Sequence, residues 1–189
     1  MTSPEVISLG CRLNLAEGER MKSMLSNEGN MIVINSCAVT TEAVRQTRQA
    51  IRKARSSNPT ARLLVTGCAA DIEREQISNM PEVDGLIANA DKLDRRSWNA
   101  KSQPQVIGKF RTRAFIGVQN GCDHACTFCV IPKGRGQSRS NTIDNVKWEV
   151  EQHLKLGAKE VILTGVDVTS WGHDLPGNLS LGNLVNSIL

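Results

Sequence analysis

The chain has 189 residues with a formal net charge of +4, and it contains six cysteines but no tyrosine. This length allows one ordinary domain or two small ones with a real hydrophobic core, and the mild positive charge permits a nucleic-acid partner without requiring one. The start, MTSPEVISLGC, resembles no secretory signal, and no apolar run reaches the roughly eighteen residues of a membrane span, so we expect a cytoplasmic protein without membrane association.

Apolar runs and stretches of helical period alternate through the first half of the chain. The predicted strands are 5–9, 31–35, 62–66 and 83–88. The predicted helices are 14–28, 41–56, 71–79 (with Asp71 as its N-cap) and 91–98. This alternation is typical of βαβ units, and it predicts a parallel sheet covered by helices on both faces.

A polar, proline-containing stretch at 99–109 interrupts this pattern and predicts a linker. The predicted elements after it are a strand at 113–119, a helix at 143–156, a strand at 160–165 and a helix at 181–189. A polar loop is expected between the first of these strands and its helix. We therefore expect two domains, residues 1–107 and residues 108–189.

Three of the cysteines, Cys11, Cys37 and Cys68, directly follow predicted strands. A reducing cytosol disfavours disulfides, so these thiols point to metal or redox chemistry. The carboxyl ends of parallel strands lie along one edge of a sheet, where ligands bind. A single buried cysteine usually packs as a small hydrophobe. Three cysteines in equivalent positions instead favour one shared metal site.

The other three cysteines, Cys122, Cys126 and Cys129, lie in the segment CDHACTFC with the spacing C-x₃-C-x₂-C. Soft thiolates bind zinc or iron–sulfur clusters. His124 would complete a zinc site. It is only two residues from both Cys122 and Cys126, however, so its side chain would be crowded as a fourth ligand. A [4Fe–4S] cluster normally has four cysteine ligands, so a cluster with three keeps one iron open for a substrate or cofactor.

These motifs resemble the radical S-adenosylmethionine (SAM) enzymes, and among them the methylthiotransferases. The segments LGCRLN, NSCAVT and TGCAA are similar to that family's three N-terminal cysteine motifs. NGCDHACTFCVIPKGRGQSRS is similar to its cluster loop and the arginine-rich segment that follows. The small residues of CAVT and GCAA, with LTGVDVTSWG, resemble the branch that acts on N6-threonylcarbamoyladenosine in tRNA. The resemblance covers residues 5–176.

The resemblance implies an enzyme that adds a methylthio group to C2 of N6-threonylcarbamoyladenosine at position 37 of tRNA. It implies one [4Fe–4S] cluster on Cys122, Cys126 and Cys129, with SAM bound at the open iron. It implies a second, auxiliary [4Fe–4S] cluster on the first three cysteines, which carries the sulfur to be inserted. The implied fold is a parallel-sheet α/β domain followed by the start of a radical-SAM partial (β/α) barrel.

The implied partners are tRNA, an electron donor such as a flavodoxin or ferredoxin, and a sulfur source, and we expect a monomer. Two alternatives stay open. One is a relative in the same family that acts on isopentenyladenosine at position 37 of tRNA or on an aspartate of a ribosomal protein. The other is a non-catalytic iron–sulfur or zinc carrier.

Three residues are expected to bind SAM. Phe128 matches a position that the superfamily usually fills with an aromatic residue, and we expect it near the adenine. Gly165 and Asp167 lie in the loop after the next predicted strand.

Two groups of basic residues are candidates for contact with the substrate. Lys133, Arg135 and Arg139 lie just beyond the cysteine loop and are expected to meet the substrate or SAM. Arg45, Arg48 and Arg52 share one face of the second predicted helix, which is either a solvated surface or a phosphate-binding face.

Two features differ from the family pattern. Lys133 replaces the aromatic residue that commonly follows the dipeptide IP. The family's enzymes also continue through the rest of the partial barrel and a β-rich RNA-binding domain, whereas this chain supplies about two barrel strands. We therefore expect either a fragment of a longer enzyme or a decayed gene.

Overall fold

A computed structural model describes residues 4–100 and 112–189. The first range contains a four-stranded sheet in which all strands are parallel and follow the order β1-β2-β3-β4. The strands are β1 (Glu5–Ser8), β2 (Met31–Ser36), β3 (Arg62–Gly67) and β4 (Gly85–Leu86). The helices are α1 (Arg12–Met24), α2 (Thr41–Ser57), α3 (Cys68–Ile72) and α4 (Arg74–Ser78).

Helices cover both faces of this sheet, as the alternating pattern predicts. Ile51 of α2 and Ile77 of α4 pack on one face, together with alternate residues of β2 and β3. Met21 and Met24 of α1 pack on the other face with Trp98. The central strands are therefore buried on both sides, which explains why β2 reads as the continuous apolar run MIVIN.

The second described range contains the start of another parallel α/β unit. Its strands are β5 (Arg113–Gly117), β6 (Gln119–Asn120), β7 (Arg139–Ser140) and β8 (Glu160–Thr164). Its helices are α5 (Ile131–Arg135), α6 (Ile143–Lys155) and α7 (Leu181–Ile188). Strand β5 pairs in parallel with β8, and the short strands β6 and β7 pair antiparallel. Helices α6 and α7 share a core with buried Ile116 and Trp171.

Several predicted elements differ from the structure. The single helix expected at 71–79 is two short helices that meet at Glu73, and α3 already begins at Cys68. Asp71 is not an N-cap, because it lies inside α3. Its carboxylate instead accepts a hydrogen bond from the backbone of Asn89. Gly67 explains the early start of α3, because its φ of +92° lets the chain turn directly from β3 into the helix.

Other boundaries also shift. Helix α1 ends at Met24 rather than at residue 28, and the helix expected at 91–98 is only a 3₁₀ turn at Arg95–Trp98. The strand expected at 113–119 divides into β5 and β6, and the loop expected after it contains α5 and β7. Most of the predicted linker, residues 101–109, lies outside the described residues. Across the two described ranges, no helix combines the length and apolarity needed to cross a membrane.

Candidate metal centres

The structure brings Cys11, Cys37 and Cys68 to one edge of the first sheet. They follow β1, β2 and β3, which are neighbours in the sheet. Cys37 and Cys68 are buried, whereas Cys11 is exposed. Burial raises the pKa of the Cys68 thiol, two nearby cations oppose that rise, and the neighbouring thiols of Cys37 and Cys11 add to it. The three cysteines therefore follow neighbouring strands at one edge of the sheet. We call them the N-terminal triad.

Polar side chains tie together the loops that carry this triad. The Asn14 amide donates to the carbonyls of Leu9 and Ser36, each at 2.9 Å, and so joins the loops before Cys11 and Cys37. The Ser36 hydroxyl donates to Thr66 O at 2.5 Å and accepts from Ala70 N at 3.2 Å. Hydrogen bonds between protein groups thus hold the strand ends in a fixed relation to each other.

A buried group of charges lies beside the N-terminal triad. Lys92 Nζ is 2.6 Å from Glu17 Oε2, and Arg135 Nη1 is 3.2 Å from Glu17 Oε1. Arg135 Nη2 also donates to Asn14 Oδ1 at 2.6 Å and lies 3.8 Å from Cys11 Sγ. Burial alone would raise the pKa of Glu17, but the ion pairs with Lys92 and Arg135 outweigh it and hold that pKa below its usual value. We call these three side chains the buried charge network.

Arg135 was expected to meet the substrate or SAM, but the structure places it against α1, with only 5% of its surface exposed. Lys133 and Arg139 are exposed instead. The substrate roles of all three stay predictions.

The second group of cysteines, Cys122, Cys126 and Cys129, lines one open cavity of about 800 Å³. We call it the loop triad. A turn closed by Cys129 N and Cys126 O, 3.1 Å apart, shapes the segment. The cavity has the size of a small-molecule site, roughly 300–1,000 Å³. Lys133 and Phe128 also line it, and Phe128 is 89% exposed there.

The loop after β8 meets the segment of the loop triad through a contact between Asp167 and His124. His124 Nε2 lies 2.9 Å from Asp167 Oδ2. Hydrogen bonds from Ser170 and Thr169, with a smaller contribution from His124, lower the pKa of Asp167 to about 2. Each of Cys122, His124 and Asp167 offers one ligand atom, and these three atoms lie within 4.8 Å of one another. This arrangement keeps the zinc alternative open, since thiolate, imidazole and carboxylate all bind zinc.

Gly165 and Asp167 are positioned by the strand-end residue Gln119. Its side-chain oxygen accepts hydrogen bonds from Val166 N at 2.9 Å and Asp167 N at 2.8 Å. A Cβ on Gly165 would lie 3.0 Å from that oxygen, so glycine fits this close approach best. The loop expected to bind SAM is therefore ordered by the protein itself.

Helix α5 connects the two triads, because it follows the loop triad and packs against α3. A Cβ on Gly134 would lie 3.1 Å from Cys68 Cβ. The buried Asn89 side chain donates to Gly134 O, and its nitrogen lies 4.0 Å from Cys68 Sγ. Asn89 Oδ1 has no hydrogen-bond partner among the described residues. A buried acceptor oxygen near Cys68 is thus without a partner among the described residues.

The arginine face of α2 is matched by carboxylates. Its ion pairs are Arg45 with Glu42, Arg48 with Glu73, and Arg52 with Glu82. The pairs lower the net positive potential of this face, which favours a solvated surface over phosphate binding. Contact with the substrate stays a prediction for these arginines.

Comparison with known proteins gives two family matches. Residues 4–88 match the family described as "Uncharacterized protein family UPF0004", and residues 116–175 match the Radical SAM superfamily. The first match contains the N-terminal triad and the second contains the loop triad. The region of the loop triad is therefore similar to the Radical SAM superfamily, and the parallel α/β region before it is similar to the first family.

Curated relatives narrow the class. Threonylcarbamoyladenosine tRNA methylthiotransferase MtaB of Rickettsia prowazekii (strain Madrid E) is 41% identical, with 98% of this chain aligned to 48% of the relative. MtaB of Thermotoga maritima is 29% identical over 95% of this chain and 48% of its own length. Ribosomal protein uS12 methylthiotransferase RimO of Prochlorococcus marinus (strain AS9601) is 30% identical over 95% of this chain and 46% of its own length.

Over nearly its whole length the chain is similar to radical-SAM methylthiotransferases, in particular to the MtaB branch. It spans about half the length of the curated relatives that it matches.

Proposed function

We propose that the protein is a tRNA methylthiotransferase that modifies C2 of N6-threonylcarbamoyladenosine at position 37. The observation that carries this proposal is the pair of separate three-cysteine sites, each inside a different family match. The similarity to proteins named threonylcarbamoyladenosine tRNA methylthiotransferase supports the choice of substrate. We retain residues 1–107 and 108–189 as its two proposed domains.

Each triad is proposed to hold one [4Fe–4S] cluster. The donors fit, because both sites offer three soft thiols and leave one iron without a cysteine ligand. When bound, the clusters and SAM supply the radical and sulfur-transfer chemistry, and the protein supplies binding and orientation. Cys122, Cys126 and Cys129 would hold the cluster that binds SAM. Cys11, Cys37 and Cys68 would hold the auxiliary cluster.

The cavity beside the loop triad is the proposed SAM site. Phe128 is exposed to this cavity, and an aromatic ring there can stack on an adenine. Asp167 stays ionised because of its lowered pKa, so it can accept hydrogen bonds from hydroxyl or amino groups. Gly165 leaves the loop backbone free to approach a ligand closely.

The remaining partners are proposed from the same resemblance. They are tRNA, an electron donor such as a flavodoxin or ferredoxin, and a sulfur source. The protein itself is proposed to be a cytoplasmic monomer. Lys133 and Arg139 are the better candidates for tRNA contact because their cationic side chains are exposed. Arg135, Arg45, Arg48 and Arg52 are weaker candidates because other protein groups hold their charges.

Iron and acid-labile sulfide should show two clusters per chain after anaerobic reconstitution. Replacing Cys122, Cys126 and Cys129 together by alanine should remove half of the iron and sulfide, because the N-terminal triad shares no ligand with the loop triad. The matched replacement of Cys11, Cys37 and Cys68 should remove the other half. One zinc per chain without labile sulfide would contradict the assignment and favour the carrier alternative.

The similarity to RimO keeps a ribosomal-protein substrate as the second candidate. A version of the chain extended by the rest of the partial barrel and the RNA-binding domain, expressed in bacteria that lack the corresponding methylthiotransferases, should restore the methylthio form of N6-threonylcarbamoyladenosine among the tRNA nucleosides detected by mass spectrometry. The same cells are analysed for the two alternative products, methylthio-isopentenyladenosine in tRNA and modified ribosomal protein uS12. Detection of one of these alternative products without methylthio-N6-threonylcarbamoyladenosine would overturn the proposed substrate.

A further inference from the structure

The buried charge network contains two cations and one anion. Lys92, Glu17 and Arg135 are 1%, 5% and 5% exposed, respectively. Both cations contact the same carboxylate, Lys92 through Oε2 and Arg135 through both of its oxygens. Isolated buried charge is very unfavourable, so the excess positive charge requires a negative counterpart nearby.

Within residues 4–100 and 112–189, the other hydrogen-bonding contacts of the two cations are to neutral groups and to a thiol. Lys92 Nζ lies 3.4 Å from Asn14 Oδ1 and 3.3 Å from Asn35 Oδ1. Arg135 donates to Asn14 and to Asn120 Oδ1, the latter at 2.7 Å. Amide oxygens satisfy the donors but carry no net charge.

The thiols of the N-terminal triad lie where the missing negative charge is needed. Arg135 Nη2 is 3.8 Å from Cys11 Sγ. Lys92 Nζ is 3.4 Å from Oδ1 of Asn14, whose amide nitrogen holds the loops before Cys11 and Cys37 together. Thiolates, not thiols, bind metal. Three thiolates outweigh the positive charge of a cubane iron–sulfur core, so a loaded N-terminal triad is anionic and complements the network.

We propose that Lys92 and Arg135 are positioning residues for the N-terminal triad and provide the positive charge that compensates its anionic auxiliary cluster. The inference rests on the proposed cluster at this triad. The position of Arg135 also matters for the loop triad, because Arg135 belongs to α5, which directly follows that triad. The same guanidinium therefore anchors the loop of one triad to the charged surroundings of the other.

The proposal predicts how the auxiliary cluster responds to charge. A neighbouring cation favours the reduced cluster, because reduction adds one electron and makes the site more negative. A chemical reductant such as dithionite supplies the electron, and no covalent bond forms or breaks. Removing either cation should therefore lower the midpoint potential.

The test uses the full chain with Cys122, Cys126 and Cys129 replaced by alanine, so that only the N-terminal cluster is observed. In this parent, R135Q and K92M should each lower the midpoint potential measured by electron paramagnetic resonance during a reductive titration. The charge-retaining variants R135K and K92R should have midpoint potentials near that of the parent. R113Q removes an exposed cation that is paired with Glu160, and it should cause no shift.

Iron content decides the cases in which a variant loses its cluster. Loss in R135Q with retention in R135K would support a role for the charge, whereas equal loss in both would show that the shape of arginine matters and would overturn the proposal. Unchanged potentials in R135Q and K92M would also overturn it. A parent without any cluster would instead refute the ligand assignment itself, and the inference with it.

Discussion

Replacing Gly10 by alanine is expected to abolish the iron bound at the N-terminal triad and to leave the iron at the loop triad in place. An alanine Cβ would lie 2.4 Å from Cys37 Sγ, closer than any real contact allows. The thiol would have to move away from its two partners. Total iron and sulfide after reconstitution should fall by about half, although no ligand is changed.

The control for this prediction is Gly29→Ala. Both glycines have a positive φ, +83° for Gly10 and +58° for Gly29, so both substitutions carry a backbone cost of roughly 1–2 kcal/mol. Near Gly29, however, a Cβ would meet no described atom within 4 Å. If Gly29→Ala loses as much iron as Gly10→Ala, backbone strain, and not displacement of Cys37, controls cluster binding.

Replacing Glu17 by glutamine should destabilise the metal-free protein by about 3–5 kcal/mol, because two buried cations then lose their common counter-ion. The measurement is the free energy of unfolding from denaturant titration under reducing conditions. Glu160→Gln is the matched control. It breaks an exposed ion pair with Arg113, which should cost at most about 1 kcal/mol.

The cost of Glu17→Gln should depend on pH. The folded-state pKa of Glu17 lies below its ordinary value of 4.5, so its ionised form stabilises the fold above that value. That stability is lost as the pH falls through the folded-state pKa, where the wild-type carboxylate also becomes neutral. The difference between the two proteins should therefore shrink below about pH 4.5, and a constant difference would show that charge is not its cause.

The sequence was sufficient to predict the parallel α/β architecture and the placement of the N-terminal cysteines at the ends of neighbouring strands. Both depend on local signals, namely apolar strands such as MIVIN and cysteines at equivalent strand ends. The relation between β1, β2 and β3 follows from the ordinary rules of parallel sheets.

The buried charge network could not be predicted in the same way. Glu17, Lys92 and Arg135 are distant in sequence and meet only in the folded chain. Each resembles an ordinary surface residue of a helix or loop, where charged side chains are usually solvated. Arg135 illustrates the problem, because its position after the cysteine loop suggested the substrate or SAM, whereas its side chain packs on α1.

Short elements were missed for a different reason. Helix α5 has the sequence IPKGR, in which proline and glycine favour a turn, and contact with α3 supports it rather than intrinsic propensity. Similarly, the break at Glu73 leaves Asp71 free to bind the backbone of Asn89. Tertiary contacts decide such boundaries.

The two triads differ in how far apart their cysteines lie along the chain, and this difference sets the order in which they can mature. The loop triad lies within residues 122–129, so even an unfolded or newly synthesised chain can gather its thiols around iron. The N-terminal triad spans residues 11–68 and exists only after β1, β2 and β3 have paired in register. A register slip of one residue would displace a thiol by about 3.3 Å and turn its strand's side chains to the other face. If the proposed clusters bind, insertion at the N-terminal triad would report correct folding, whereas insertion at the loop triad could precede it.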